Sequence, residues 1–202
     1  MAVPTESIDG VRTAHAELHA AIAELDDATA HRPSRLPGWT VGHVLTHLAR
    51  NADSVVRRLS AARVGQLVEQ YPGGTAGRAA EIEAGAGRTA AELVADLRAV
   101  DDAVDRLFES VPADVWDLPV RRSGPAGGVI PAARLAYSRW REVVVHHVDL
   151  GLGYTPADWP EPLVQLMLPD LLDGLARRAD PATLAAWALD RGPAPTLTSW
   201  DT

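Results

Sequence analysis

Three side chains in this sequence have the types and the spacing of a metal site. Glu142 and His146 are four residues apart, so on an α-helix they project from the same face, one turn apart. His47 belongs to a helical pattern much earlier in the chain. Two imidazoles and one carboxylate suit Zn²⁺, Ni²⁺, Fe²⁺ or Mn²⁺, and three protein ligands leave positions open for water or substrate. The set therefore predicts a catalytic metal more than a structural one.

The same residues also have a purely structural interpretation. An E-x-x-x-H spacing is common by chance, and the H-x-x-x-H formed by His43 and His47 lacks the adjacent glutamate of the zinc-protease motif. In this alternative, His47 bonds to backbone and Glu142 pairs with Arg139, three residues before it. In either case we expect His47 to be the inward histidine, because His43 lies almost opposite the centre of the apolar arc.

Further polar side chains lie one turn from the candidate ligands. Arg139 precedes Glu142 on the same face and is predicted to be catalytic by binding a substrate carboxylate, or else to form a salt bridge that orients Glu142. Asn51 follows His47 by one turn and is predicted to hydrogen-bond a bound cofactor or a group behind the ligands. His147 lies on a different helix face and is predicted to be structural or on the surface.

Four long helical patterns must position these residues. They cover about residues 5–29, 40–63, 89–111 and 131–150. Thr40 is the expected N-cap of the second helix, and Thr89 with Glu92 has capping-box spacing. The links at 64–88 and 112–130 are rich in Gly and Pro; the first holds a short helical candidate at 78–83, and the second could form at most a short ribbon. This pattern predicts an all-α four-helix bundle over residues 1–150.

A shorter, mostly helical extension is predicted over residues 151–202. Its first helical segment runs from about residue 161 to 178 and contains Pro169, which should kink the helix or mark a break. A last short helix begins at Asp180 and Pro181 and ends before Arg191. We find no strand-forming run between these two helices.

Composition restricts the functional classes. A chain of 202 residues that is 47% hydrophobic can form one domain with a small appendage, and a net charge of −8 without a basic stripe argues against nucleic acid. The absence of long apolar runs and of a signal-peptide pattern predicts a cytoplasmic protein without a membrane segment. Since there is no cysteine, any thiol chemistry needs a thiol from outside. The apolar stripes fit either a monomer or a homodimer.

Five sequence segments, in this order, resemble a known family. They are residues 36–53 (LPGWTVGHVLTHLARNAD), 71–74 (YPGG), 81–88, 140–150 and 154–160. Together they are similar to the mycothiol-dependent maleylpyruvate isomerase family, a branch of the DinB-like metal-binding four-helix bundles. The resemblance extends over about four fifths of the chain.

The resemblance implies a metal, a thiol and a reaction. In that family one divalent cation, usually zinc, is held by a histidine of the second helix and an E-x-x-x-H on the fourth, which are His47, Glu142 and His146 here. It also implies mycothiol as co-substrate and the cis-trans isomerisation of maleylpyruvate to fumarylpyruvate by reversible thiolate addition. Arg191 with Gly192 resembles a late Arg-Gly of the family, which predicts a catalytic Arg191.

The chain departs from the family after residue 150, where many members have a small α/β domain and this sequence has a helical extension. This departure leaves two alternatives open. One is a mycothiol S-transferase that acts on another electrophile, and the other is a noncatalytic metal-binding bundle.

Overall fold

The computed structural model describes residues 3–122 and 128–198 and is mainly helical. The described helices are α1 (Thr5–Ala21), α2 (Asp27–Ala30), α3 (Val41–Ala62), α4 (Gly74–Ala86), α5 (Ala90–Ser110), α6 (Arg134–Asp149), α7 (Glu161–Arg178) and α8 (Pro181–Ala188). Short 3-10 helices at Ala113–Asp117 and Pro156–Asp158 join them. The strands β1 (Pro119–Arg121) and β2 (Val129–Pro131) form an antiparallel ribbon. The predicted all-α class is confirmed.

The chain divides into two compact units, Met1–Asp158 and Trp159–Thr202. In the first unit, α1, α3, α5 and α6 form the four-helix bundle: α1 packs on α5 and α6, and α3 packs on the same two helices. The short α2 and α4 lie against α3. The boundary between the units follows Asp158, whereas the predicted bundle ends at residue 150.

The second unit contains α7, α8 and the residues that follow them. The helix α7 continues through Pro169 without a break, and the backbone N–H of Thr198 donates to the carbonyl of Arg178 at 2.9 Å. No strand occurs in residues 159–198, as predicted. No helix of the described ranges is long and apolar enough to cross a membrane.

The two predicted helix caps are present. Thr40 accepts a hydrogen bond from the N–H of His43, and the Nδ1 atom of His43 accepts one from the N–H of Thr40. Thr89 and Glu92 form the same reciprocal arrangement at the start of α5. Each pair satisfies two backbone N–H groups that have no partner inside the helix. The first cap fixes where α3 begins and therefore which of its side chains face the bundle.

The first helix is shorter than predicted. It ends at Ala21 rather than near residue 29, and Asp26 then accepts a hydrogen bond from the N–H of Thr29 at 2.7 Å to begin α2. A short aspartate side chain offers the backbone this alternative to continuing the helix. The apolar periodicity through Leu25 did not reveal the interruption.

Two other predicted boundaries are also wrong. The helix α4 extends over Gly74–Ala86 instead of only 78–83, and α6 begins at Arg134 because Pro131 pairs with Pro119 in the ribbon. The ribbon itself agrees with the prediction that the link at 112–130 forms at most a short ribbon. Residues 123–127 of the Gly- and Pro-rich link predicted there lie outside the described residues.

Two glycines allow helices of the first unit to approach closely. A Cβ atom on Gly10 of α1 would lie 2.3 Å from Cε2 of Trp140 on α6, and one on Gly42 of α3 would lie 2.3 Å from the carbonyl oxygen of Ala86 on α4. Such distances exclude any larger residue unless the helices move apart. The glycines therefore allow α6 to pack closely against α1, and α4 to pack closely against α3.

Candidate metal centre

The structure brings together the three side chains selected as metal ligands from the sequence. His47 comes from α3, and Glu142 and His146 come from consecutive turns of α6. The Nε2 atom of His47 lies 3.1 Å from Oε2 of Glu142 and 3.1 Å from Nε2 of His146. The third separation, from Nε2 of His146 to Oε2 of Glu142, is 3.6 Å.

These separations fit a small divalent cation. Zinc binds imidazole nitrogen at about 2.0–2.1 Å, so a tetrahedral site has ligand atoms about 3.3 Å apart along each edge. The three observed distances lie close to this value on both sides. Among the described residues, these ligand atoms form a group in which all lie within 4.8 Å of one another. A cation at the centre would be held by two nitrogens and one oxygen.

The cluster is buried on the α3 side and partly open on the α6 side. The side chain of His47 is 2% exposed, whereas those of Glu142 and His146 are 22% and 19% exposed. Solvent or a small molecule can therefore approach along α6. This asymmetry matches a site with three protein ligands and an open position.

Burial and hydrogen bonding shift the titration of all three groups. Burial lowers the pKa of His47 to about 4, although the hydrogen bond with Glu142 opposes this shift. Burial alone would raise the pKa of Glu142, but the adjacent His146 and His47 hold it well below its usual range. Burial also acts to lower the pKa of His146, but the hydrogen bond to Asp149 and the nearby carboxylate of Glu142 raise it to about 9. Glu142 is therefore ionised and His47 is neutral near neutral pH.

A second carboxylate orients one of the candidate ligands. Oδ2 of Asp149 lies 2.8 Å from Nδ1 of His146, so the ring can donate its Nδ1–H and turn Nε2 toward the cluster. Metal-binding histidines commonly have this carboxylate behind them, which fixes the tautomer and orientation. Asp149 was not selected as a site residue, although its spacing of three from His146 places it on the same face.

The Nδ1 atom of His47 faces an arginine side chain instead of a carboxylate. The Nη2 atom of Arg78, from α4, lies 3.1 Å from Nδ1 of His47. Arg78 was not predicted as a site residue, although it lies in the short helical segment predicted at 78–83. No spacing in the sequence relates Arg78 to His47.

His43 is occupied elsewhere, in agreement with the prediction that His47 is the inward histidine. Its Nδ1 atom takes part in the cap with Thr40, and its Nε2 atom lies 3.3 Å from Oε2 of Glu83. The ring of Trp39 stacks on the ring of His43, with 6.1 Å between centroids. It also packs at a tilted angle against the ring of His47, with 5.8 Å between centroids. Trp39 thus covers one flank of the candidate ligand.

Arg139 does not form the salt bridge with Glu142 that was predicted for it. Its side chain has no solvent exposure, and its Nη2 atom pairs with Oδ1 of Asp101 at 2.5 Å rather than with Glu142. Its Nε atom donates to Nε2 of His15 at 3.2 Å, and its Nη1 atom donates to the carbonyl of Leu48 at 2.8 Å. A buried guanidinium needs acceptors of this kind. The structure places Arg139 in an ion network inside the bundle, and binding of a substrate carboxylate by Arg139 stays a prediction.

Asn51 belongs to the same network. Its Oδ1 atom accepts a hydrogen bond from Nη1 of Arg139 at 2.9 Å, and its side chain is buried. Its Oδ1 atom is therefore engaged by Arg139, and the predicted contact of Asn51 with a bound cofactor stays a prediction. Asn51 and Leu48 follow His47, so this network ties the ligand-bearing part of α3 to α6.

Arg191 lies in the second unit and is exposed. Its Nη1 atom donates to the carbonyls of Leu189 and Asp190, at 3.1 and 3.0 Å. The catalytic role of Arg191 stays a prediction. His147, in the first unit, is buried and stacks on Tyr154 with 4.0 Å between ring centroids, which agrees with the predicted structural role.

Comparisons with known proteins agree with the resemblance. Residues 11–151 match the family model described as the mycothiol maleylpyruvate isomerase N-terminal domain. One similar structure is a crystal structure of the mycothiol-dependent maleylpyruvate isomerase, whose sequence is 26% identical to this chain. The TM-score is 0.76, and the match covers 81% of this chain and 67% of the isomerase chain. A second is a crystal structure of a histidine-to-alanine mutant of a mycothiol-dependent maleylpyruvate isomerase, with 24% sequence identity and a TM-score of 0.80. This match covers 88% of this chain and 73% of the mutant chain. A comparison with curated proteins gave no match. The predicted DinB-like bundle is thereby confirmed.

Proposed function

Because the chain belongs to the family of the mycothiol maleylpyruvate isomerase N-terminal domain, we propose that it is a metal-dependent isomerase that uses mycothiol to convert maleylpyruvate into fumarylpyruvate. One observation carries the proposal: the converging nitrogen and oxygen atoms of His47, Glu142 and His146, at the separations that a divalent cation needs. The solved isomerases share this fold.

His47, Glu142 and His146 would hold the cation, most simply Zn²⁺. When bound, the cation lowers the pKa of a thiol that coordinates it, so that a thiolate is available near neutral pH. The chain contains no cysteine, so this thiol is supplied by a second molecule. Mycothiol, named in the family description, is the thiol we propose.

The proposed reaction needs no net transfer of atoms. The mycothiol thiolate adds to the cis double bond of maleylpyruvate, and the electron pair of that bond moves onto the adjacent carbonyl as an enolate. The former double bond is now single and rotates. Collapse of the enolate restores the double bond in the trans form, breaks the carbon–sulfur bond and returns the thiolate unchanged.

The residues of this chain prepare the site for that chemistry. Glu142 is held ionised by the two histidines, so its carboxylate is available as an anionic ligand for a cation. Asp149 orients His146, and the Arg139 network orients α3 relative to α6. The partial exposure of Glu142 and His146 leaves one side accessible to thiol and substrate.

The experiment combines metal analysis with turnover. Metal content is measured for the wild type and for His47→Ala, Glu142→Ala and His146→Ala, with exposed His31→Ala as the matched control. We expect about one zinc per chain in the wild type and control, and loss of zinc in the three ligand variants. Maleylpyruvate turnover should require both zinc and mycothiol and should leave the concentration of free thiol unchanged.

Other outcomes would point to the two alternative functions. Stoichiometric consumption of thiol with an electrophile would favour the S-transferase. Bound zinc with neither turnover nor thiol activation would favour the noncatalytic bundle. A folded wild type that takes up no metal when zinc is supplied would refute the proposed centre.

A further inference from the structure

Arg78 places a positive charge against a residue that is expected to bind a cation. Its guanidinium lies on the first turns of α4, with Nη2 3.1 Å from Nδ1 of His47, and it lies over the ring of Tyr71 at 5.7 Å. Tyr71 is buried, and Arg78 is half-buried. This contact belongs to the first unit, in which both helices α3 and α4 lie.

The backbone before Arg78 is shaped to make this contact possible. Gly73 and Gly74 have φ angles of +72° and +65°, which favour glycine because other residues meet a steric penalty there. A Cβ atom on Gly77 would lie only 1.8 Å from the carbonyl oxygen of Pro72. The segment from Tyr71 to Gly77 therefore forms a tight turn into α4. This turn places Arg78 beside His47.

The hydrogen bond from Arg78 restricts the tautomer of His47. Arginine has donors but no acceptor, so Nδ1 of His47 must accept. A neutral imidazole carries one N–H, and here it is on Nε2, which donates to Oε2 of Glu142 at 3.1 Å. A metal on Nε2 requires the opposite tautomer, with the proton on Nδ1. The contact with Arg78 and a metal on Nε2 therefore exclude each other.

His146 shows the opposite arrangement. Its Nδ1 atom faces the carboxylate of Asp149 at 2.8 Å, which accepts the N–H that a metal-binding tautomer carries. One candidate ligand is therefore supported by an acceptor and the other is opposed by a donor. On metal binding His146 keeps Asp149 at Nδ1 and gives up only a proton from Nε2, whereas His47 must exchange the group bonded to its Nδ1.

We propose that Arg78 is a displaceable internal cation, which binding of a divalent metal to His47 drives off Nδ1 and makes available to an anionic ligand of that metal. The charge of Arg78 repels the metal, and its hydrogen bond stabilises the wrong tautomer, so both effects oppose metal binding. Once displaced, the guanidinium stays tethered to α4 beside the ring that binds the metal. A carboxylate that approaches the open position meets a donor suited to it.

This inference rests on the proposed function for the metal, but its test does not depend on turnover. Zinc affinity is measured by competition with a chelator for the wild type, Arg78→Met and Arg78→Gln, with exposed Arg63→Met as the matched control. We expect both Arg78 variants to bind zinc roughly tenfold more tightly, since partners behind a ligand commonly change affinity by this order. Glutamine can also accept the Nδ1–H, so its affinity should be at least that of the methionine variant.

Two further readouts complete the test. ¹⁵N NMR of the His47 ring should show an unprotonated Nδ1 with chelator and a protonated Nδ1 with zinc. In the zinc-loaded proteins without thiol, maleate serves as the anionic probe, and calorimetry should show binding to the wild type at least about tenfold tighter than to Arg78→Met. Circular dichroism establishes that each variant is folded.

Several outcomes would overturn the proposal. Zinc binding that is unchanged or weaker in both Arg78 variants would do so, as would equal maleate affinity in the wild type and Arg78→Met. If none of the proteins binds zinc, the proposed centre and the exchange are both refuted. A wild type that gives the expected zinc and maleate results but does not isomerise maleylpyruvate would refute the proposed function and leave the exchange standing.

Discussion

The Nη2 atom of Arg139 lies 2.5 Å from Oδ1 of Asp101, and neither side chain has any exposure to solvent. The two residues join α6 to α5 at the centre of the bundle. The remaining donors of the guanidinium reach α1 through His15 and α3 through Leu48. One side chain therefore holds all four bundle helices.

The first prediction concerns this ion pair. Arg139→Met should lower the free energy of unfolding by about 3–5 kcal/mol, because it leaves the buried Asp101 without its cation. Urea denaturation measures the loss. Arg12→Met is the control, since the exposed pair of Arg12 with Glu109 should contribute at most about 1 kcal/mol. Equal effects of the two substitutions would contradict the importance of the buried pair.

The second prediction tests the close approach of α1 and α6. Gly10→Ala should destabilise the protein by about 1–3 kcal/mol, because its Cβ would meet the indole of Trp140 at 2.3 Å. Gly87→Ala is the matched control, as a Cβ there meets no atom within 4 Å and the residue has an ordinary φ of −88°. A midpoint of thermal unfolding that is the same for both variants would show that the helices adjust without cost.

The third prediction concerns acid stability. Burial lowers the pKa of His147 to about 4, against an ordinary value of 6.5, and its Nε2 atom is buried without a hydrogen-bond partner among the described residues. Between these values the unfolded chain binds a proton that the folded chain excludes, so stability falls as pH decreases from 6.5 to 4. This group alone contributes a slope of up to about 1.4 kcal/mol per pH unit.

Replacement of this histidine should remove its part of the slope. His147→Phe keeps an aromatic ring on Tyr154 but cannot titrate. Urea denaturation of both proteins at several pH values, with a chelator present, measures the two slopes. The wild type should lose more stability than the variant on acidification, and parallel slopes would assign the acid sensitivity to other groups.

The fourth prediction concerns the acceptor behind His146. Asp149→Asn should weaken zinc binding by roughly tenfold or more, because the amide no longer provides the charge that supports the Nδ1–H of His146. The exposed Asp102→Asn variant, which removes the same charge from α5, is the control. If the two variants bind zinc equally well, Asp149 does not act through His146.

The three candidate ligands were predictable because their signals are local. Four residues on one helix determine that Glu142 and His146 share a face, and the apolar arc of α3 distinguishes His47 from His43. The caps at Thr40 and Thr89 were equally readable, since each depends on side chains three residues apart. Such features need no knowledge of how the helices pack.

The partners of Arg139 and Arg78 were not predictable, since they arise only when distant helices meet. Asp101 and His15 lie on α5 and α1, and no pattern in the sequence relates either of them to Arg139. Arg78 follows a glycine-rich segment in which Gly77 lies close against the carbonyl of Pro72. The helical periodicity of the sequence does not reveal these contacts. The roles predicted for Arg139 and Asn51 therefore rested only on their positions one helical turn from Glu142 and His47.

The candidate ligands His47 and Glu142 are 95 residues apart in sequence and come from two different helices. Metal binding to them should therefore be thermodynamically coupled to folding. An unfolded chain does not keep these side chains together, so a cation that binds them stabilises only the folded form. At a free concentration a thousand times its dissociation constant, such a ligand adds about 4 kcal/mol to the free energy of unfolding. The lifetime of this protein against proteolysis should therefore rise and fall with the metal content of its surroundings.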